Sequence, residues 1–344
     1  AELEETVQLA TSLATGQKLS QNGQRKSESP LFSIFEGLST RSVTARELQY
    51  SFKTRKLDLG KSGSFPVKNR QAHPEGGQLV QSFIEACKQV QAKEKGALLH
   101  TLTALMHQYL VNLPCGFAHL PDVSLYDHLK STMAFATVLF KLKEAGKPLD
   151  AKDSFLLVGG DISGIQSFIY EIVSTDASKN LKGRSFYLHL LVDSVIRKLL
   201  DKLELPSANV VYASGGGFYI LAPNIYGEDQ KIIKQVANEI EDSIYQKHKT
   251  SLSLVIDACP FGQEDVYGQA VNKIWDKLIN SINKRQKKKF RRQLVENYDS
   301  FFGSDNNGEL LGIEEGGLQA RDVITNEEFT PEEQQDVDSR KRKS

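Results

Sequence analysis

Cysteine is scarce in this chain: Cys87, Cys115 and Cys259 lie far apart and form no CxxC pair. That excludes a disulfide framework and fits a reducing compartment. No apolar run approaches the ~18–20 residues that span a bilayer, so no membrane partner is expected. Residues Ala1-Glu2-Leu3-Glu4-Glu5 are acidic and lack a signal-peptide core, which makes a cytoplasmic location the expectation. Net charge is also missing. Lys and Arg total 43 against 43 Asp and Glu, so any polyanion contact must come from local clustering rather than bulk charge. No His-Asp dipeptide occurs anywhere in the chain.

The 344 residues exceed one average domain, and the pattern along them changes twice. Residues 3–18 read as a short amphipathic helix ending near Gly16. Residues 19–30 read as loop, and 31–72 gives at most an extended pair. Strong helical periodicity covers 78–145: Leu98, Leu99, Leu102, Leu105, Met106, Tyr109 and Leu110 make one apolar face. A second helix starts after Pro121, with Ser124 or Asp122 as its cap.

From residue 152 the rhythm is that of an α+β unit. Phe155 to Val158 form a buried strand bounded by Gly159-Gly160, and a helix is expected over about 184–204. Val210-Val211-Tyr212 and Phe218 to Leu221 flank a glycine turn. A helix with Ile232, Ile233, Val236, Ala237, Ile240 and Ile244 follows, and Leu252, Leu254 and Ile256 alternate as a strand. This order predicts a ferredoxin-like palm, an antiparallel sheet with helices on one face. The expected division is 1–72, a helical remnant and connecting segment; 73–150, a helical unit; 151–292, the palm; and 293–344, a polar region with a loosely ordered tail.

Four clusters carry candidate chemistry. In Gly160-Asp161-Ile162-Ser163-Gly164 a carboxylate leaves a strand end before a helix, where palm-type nucleotidyl transferases hold a cation against triphosphate oxygens. A helix cap is the plainer reading of Asp161. In Ser214-Gly215-Gly216-Gly217 the hairpin turn lacks the acidic pair of a two-metal site, though glycines let a ligand or another backbone approach. Lys182 and Arg184, placed just before a helix, suit an anion. Lys284, Arg285, Lys287, Lys288, Lys289, Arg291 and Arg292 put seven cations in nine residues, the clearest footprint for RNA or phosphate.

Those motifs, with Leu221-Ala222-Pro223-Asn224 and Leu120 to Lys130, resemble the large subunit of type III-A (Csm-type) CRISPR effectors up to and including its first palm. The likeness covers roughly residues 115–292. It implies a full-length subunit with an HD nuclease, two palms, a zinc-binding insert between them and a helical end. The second palm, with Gly-Gly-Asp-Asp, makes cyclic oligoadenylates from ATP. Partners implied are guide RNA, target RNA and the backbone, small and 5′-handle-binding subunits.

The chain departs from that plan. It lacks the HD dyad, the zinc cysteines and the second palm's acids, so no zinc, no metal ligand and no catalytic residue is assigned to it. Residues 1–18 resemble the last helix of an HD-like domain, and the resemblance makes 293–344 a degenerate zinc-insert region with a flexible tail. The resulting expectation is a scaffold. Asp161, Ser163, Gly164, Ser214, Gly215, Gly216 and Gly217 would line one wall of a pocket for ATP with Mg2+, shared with a second palm on another chain. The alternative is a stand-alone palm-type nucleotidyl cyclase using Asp161 and Asp257.

Overall fold

A computed structural model describes residues 2–18, 29–37, 48–58, 65–68, 76–117, 119–170, 177–227, 230–296 and 298. The readings for residues 19–28 and 301–344, including the zinc-insert region and tail, fall outside the described residues.

The first helix, α1 (Glu2–Thr15), buries Ala10 and Leu13 and stops at Gly16, whose φ of +67° suits a residue without a Cβ. A short helix α2 (Ile34–Gly37) precedes the expected extended pair, β1 (Tyr50–Ser51) antiparallel to β2 (Val67–Lys68). Three helices follow: α3 (Gly76–Lys88), α4 (Lys95–Leu110) and α5 (Leu125–Glu144). Of the two candidate caps, Ser124 serves: its Oγ accepts from the Asp127 N–H at 3.0 Å and donates to the Asp127 carboxylate at 2.7 Å. Helix α5 closes at Gly146 with a Schellman motif, Gly146 N–H to Lys143 O and Lys147 N–H to Leu142 O.

The palm unit runs β3 (Phe155–Ser163), α6 (Ile165–Tyr170), α7 (Ala177–Leu203), β4 (Val210–Ser214), β5 (Gly217–Pro223), α8 (Lys231–His248) and β6 (Ser253–Phe261). After β6 come α9 (Gln263–Tyr267), α10 (Val271–Gln286) and α11 (Arg291–Glu296). The sheet order is β4-β5-β3-β6, all antiparallel, as a ferredoxin-like βαββαβ unit requires. Strand β3 is central and buried on both faces, hence its continuous apolar run.

The period of two along β3 divides the core. Leu156, Val158 and Ile162 face α7 and α8 with Phe218, Ile220, Leu254 and Ile256. Phe155 and Leu157 face the other way, with Leu221 and Val255, onto Leu139 of α5 and Leu278 of α10, where Leu13 of α1 joins the same cluster. The crossover helices thus lie on one face, as expected. The opposite face is also covered, by helices from before and after the βαββαβ unit. Asn209, fully buried, ties the hairpin to α5 by donating to Leu221 O at 2.7 Å and Ala134 O at 3.3 Å.

Two boundaries differ from the sequence reading. Gly159 and Gly160 do not bound the first strand; β3 runs through them to Ser163. The glycines are needed because neighbouring rings lie over them. A Cβ on Gly160 would stand 2.4 Å from the Phe218 ring, and one on Gly159 3.0 Å from the Tyr219 ring. Helix α7 begins at Ala177, so Lys179 to Ser185 are helical rather than a loop before the helix.

Candidate functional site

The site predicted from the glycine motifs sits at the hairpin end of the sheet, on the face crossed by α10. Register places Asp161 of β3 and Ser214 of β4 on either side of Gly217, the cross-strand partner of both. Cross-strand partners point to the same face, so Asp161 and Ser214 flank a position without a side chain. Neighbouring strands lie ~4.8 Å apart, which opens a gap about 10 Å wide with a glycine floor. A Cβ on Gly217 would meet the Asp161 Oδ1 at 3.4 Å.

The turn is built to stay tight. Gly215 and Gly216 have φ of +62° and +93°, the left-handed pair that a two-residue hairpin needs. Gly216 is packed: its carbonyl accepts from the Ile162 N–H at 3.1 Å, and a Cβ there would lie 2.3 Å from the Ile165 Cδ1. Gly164 is tighter still, with φ of +94° and the Ser251 carbonyl where its Cβ would go. This glycine serves a close approach of two backbones. Ser163 shares a 2.6 Å hydroxyl contact with Ser253 across the β3–β6 pair.

Asp161 is not a helix cap. It lies within β3, and its Oδ2 accepts from the Gln286 Nε2 at 2.6 Å. Gln286 is the last residue of α10, and nothing local in the sequence links it to a carboxylate 125 positions away. Asp257, the alternative second acid, is on β6 opposite Gly159 and occupied: Ser281 donates to its Oδ2, its own Oδ1 accepts from the Ala258 N–H, and Arg285 is 3.9 Å away. Among the described residues no group of three or more His, Cys, Asp or Glu side chains is placed to share a metal ion. As a donor set this gap offers a divalent cation one carboxylate, already hydrogen-bonded, which does not fit a complete metal site.

The cation clusters separate into two roles. Arg184 is not available to an external anion. It is buried in α7 and donates to the Phe168 carbonyl, with its guanidinium 5.3 Å from that ring. Lys182 on the same helix is exposed. In the run from Lys284 to Arg292 two arginines turn inward. Arg285 donates to the Ile256 carbonyl at 2.7 Å and pairs with Glu241 at 3.3 Å. Arg292 grips Asp242 with both terminal nitrogens, at 2.9 and 2.5 Å, and reaches Glu296 at 3.1 Å. Burial pushes the Glu241 carboxyl upward, and Arg285, Arg292 and the Ile256 N–H draw it back down. Lys284, Lys287, Lys288, Lys289 and Arg291 remain exposed.

The histidines near Pro121 have structural surroundings. His128 is buried edge-on to Phe117, its ring centroid 5.1 Å away, and burial lowers its pKa. His119 Nε2 contacts the Thr15 carbonyl at 3.2 Å.

A βαββαβ sheet with a glycine hairpin facing a strand-borne aspartate defines a palm-domain protein, with the hairpin acids replaced. Residues 154–302 match the family model described as "Csm1 subunit domain B". Beyond that segment the chain is similar to the large subunits of type III-A CRISPR effectors, over a stretch of them that includes this domain. It is 28% identical over 289 residues to the Methanocaldococcus jannaschii protein named CRISPR system single-strand-specific deoxyribonuclease Cas10/Csm1 (subtype III-A), covering 73% of this chain and 35% of the relative. The protein of the same name from Mycobacterium tuberculosis is 35% identical over 158 residues, 42% of this chain and 19% of that one. A crystal structure of a Csm1–Csm4 cassette in complex with pppApApA superposes with a TM-score of 0.66 at 26% identity, over 88% of this chain and 41% of that one. The cassette in complex with cA4 gives 0.64 at 27%, over 83% and 37%. The chain spans about a third or less of the length of these curated relatives.

Proposed function

We propose that this chain is the first-palm scaffold of an RNA-guided type III antiviral effector, holding partner subunits and guide and target RNA. Its hairpin end forms one wall of an ATP pocket completed by a second palm. Asp161, Ser163, Gly164, Ser214, Gly215, Gly216 and Gly217 line or shape that wall. Lys182, Lys284, Lys287, Lys288, Lys289 and Arg291 meet RNA phosphates. The division at 1–72, 73–150, 151–292 and 293–344 and a cytoplasmic setting belong to the same reading.

The observation that carries it is the glycine-floored gap between Asp161 and Ser214, which keeps the shape of a nucleotide site with one carboxylate. Similar cassettes have been solved with one ATP and with AMPPNP, and the partner in them is Csm4. When bound, a Mg2+ ion would neutralise triphosphate oxygens, and Asp161 is the residue here that would face it. Its remaining ligands would come from the triphosphate and the second palm. This chain's own part is to place Asp161, keep the turn narrow and exclude water with the Tyr219–Trp275 pair beside it, whose centroids lie 4.5 Å apart.

The test is incubation of the purified chain with ATP and Mg2+, analysed for linear and cyclic oligoadenylates. No product is expected. Product that disappears in Asp161→Ala would replace the scaffold with the stand-alone cyclase. Affinity capture from the native host should recover guide RNA and sibling subunits, and an RNA-free monomer would contradict the proposal.

A further inference from the structure

The sheet face is closed to RNA. Small βαββαβ RNA-binding domains stack bases on aromatics of an open sheet. Here the corresponding Tyr219 packs against Trp275 of α10, and α1 and α5 cover the rest of that face. The exposed edge of β6 is different. Strand β6 has β3 on one side and, among the described residues, no strand on the other. At Ile256 the outward backbone is covered: its carbonyl accepts from Arg285, and its N–H faces the Glu241 carboxyl. Two residues earlier, Leu254 presents its backbone to the same side and borders a cleft of about 530 Å³.

Across that cleft stand Lys284, Lys288, Lys289 and Arg291. Arg285 and Arg292 consume the nearby carboxylates Glu241, Asp242 and Glu296. None of the four cleft cations has an ion-pair partner among the described residues. Lys289 lies 5.6 Å from the Phe290 ring, which itself rests on Tyr245. Phe290 has a φ of +63°, a costly conformation for a bulky residue, and it reverses the chain so that the cations before and after it border one cleft.

We propose that this cleft binds the phosphodiester backbone of single-stranded RNA, with Lys284, Lys288, Lys289 and Arg291 on the phosphates and Arg285 and Arg292 as the framework. The inference rests on the RNA-holding reading above and assigns it a place. The volume is that of a pocket for a small ligand, so it takes a few nucleotides of one strand and not the width of a duplex. Contact is through charge, so recognition is independent of sequence and strongly dependent on salt.

The experiment is fluorescence anisotropy of the full chain with a labelled mixed-sequence single-stranded RNA over a salt series. Lys288→Ala/Arg291→Ala removes two exposed cations without breaking a contact in the structure. Its log–log salt slope should lose about 1.4 of its magnitude, because each phosphate contact on a single strand contributes about 0.7. Affinity near physiological salt should fall by about tenfold or more, with an unchanged melting curve. An unchanged slope with RNA still bound would overturn the cleft and leave the RNA-holding reading standing. No RNA binding by the unmodified chain at low salt would overturn both. Duplex RNA competing as well as single-stranded RNA, or polyglutamate competing better at equal charge, would reassign the cleft and also overturn the proposal.

Discussion

Gly164 and Gly215 belong to the two glycine motifs that carry the candidate site, yet the structure gives them different work. Both have positive φ, +94° and +62°. An alanine at Gly215 meets nothing within 4 Å, so its cost is the left-handed backbone alone, about 1–2 kcal/mol. An alanine at Gly164 bears the same kind of backbone cost and also places its Cβ 2.1 Å from the Ser251 carbonyl oxygen. That neighbour is backbone, held by Ser251 N–H to His248 O at 3.0 Å, at the entrance to β6. It cannot rotate away as a side chain would. Overpacking adds about 1–3 kcal/mol, for a total of about 2–5 kcal/mol. At about 2–4 °C per kcal/mol, Gly215→Ala should lower the melting temperature by about 2–8 °C, and Gly164→Ala by about 4–20 °C. Thermal unfolding followed by circular dichroism reads both. Equal, small shifts for the two variants would refute the backbone approach. A stable Gly164→Ala chain that has lost ATP binding would mean that this glycine serves a ligand and not the fold.

Other predictions follow from charge. His128 is buried and its pKa is lowered, so its contribution to stability is present above the unfolded value near 6.5 and is lost as pH falls through the lower folded value. His128→Leu should therefore flatten the stability profile on the acid side of about pH 6.5, and a difference in melting temperature that does not vary with pH would reject this. The adjacent arginines 291 and 292 should behave oppositely. Arg291→Ala, on an exposed side chain, should change stability by less than about 0.5 kcal/mol. Arg292→Ala breaks a two-pronged contact with Asp242 and should cost about 1–3 kcal/mol in urea unfolding. Similar costs for both would remove the distinction between framework and binding cations.

The order of elements was legible because it rests on local signals. Helical spacing at 98–110, a serine before an apolar stretch at Ser124, alternation at 252–256 and paired glycines between two apolar runs each specify backbone conformation through neighbours a few residues away. Chemical exclusions were equally direct: a chain without a His-Asp dipeptide or acids at its hairpin turn announces that in one dimension.

What the tertiary structure alone decided are pairings across long separations. Gly159 and Gly160 look like a strand boundary until the rings of Phe218 and Tyr219 are laid over them from the next strand. Seven cations in nine residues look uniform in sequence. Folding turns Arg285 and Arg292 onto carboxylates of α8 and leaves Lys284, Lys288, Lys289 and Arg291 bordering a cleft at the β6 edge. Asp161 has the sequence of a metal ligand, but its partner is Gln286, brought to it by the path of α10 across the sheet. Local physics fixes which segments become strands and helices. Which side chain answers a given carboxylate depends on where those segments cross, and only the packed fold determines that.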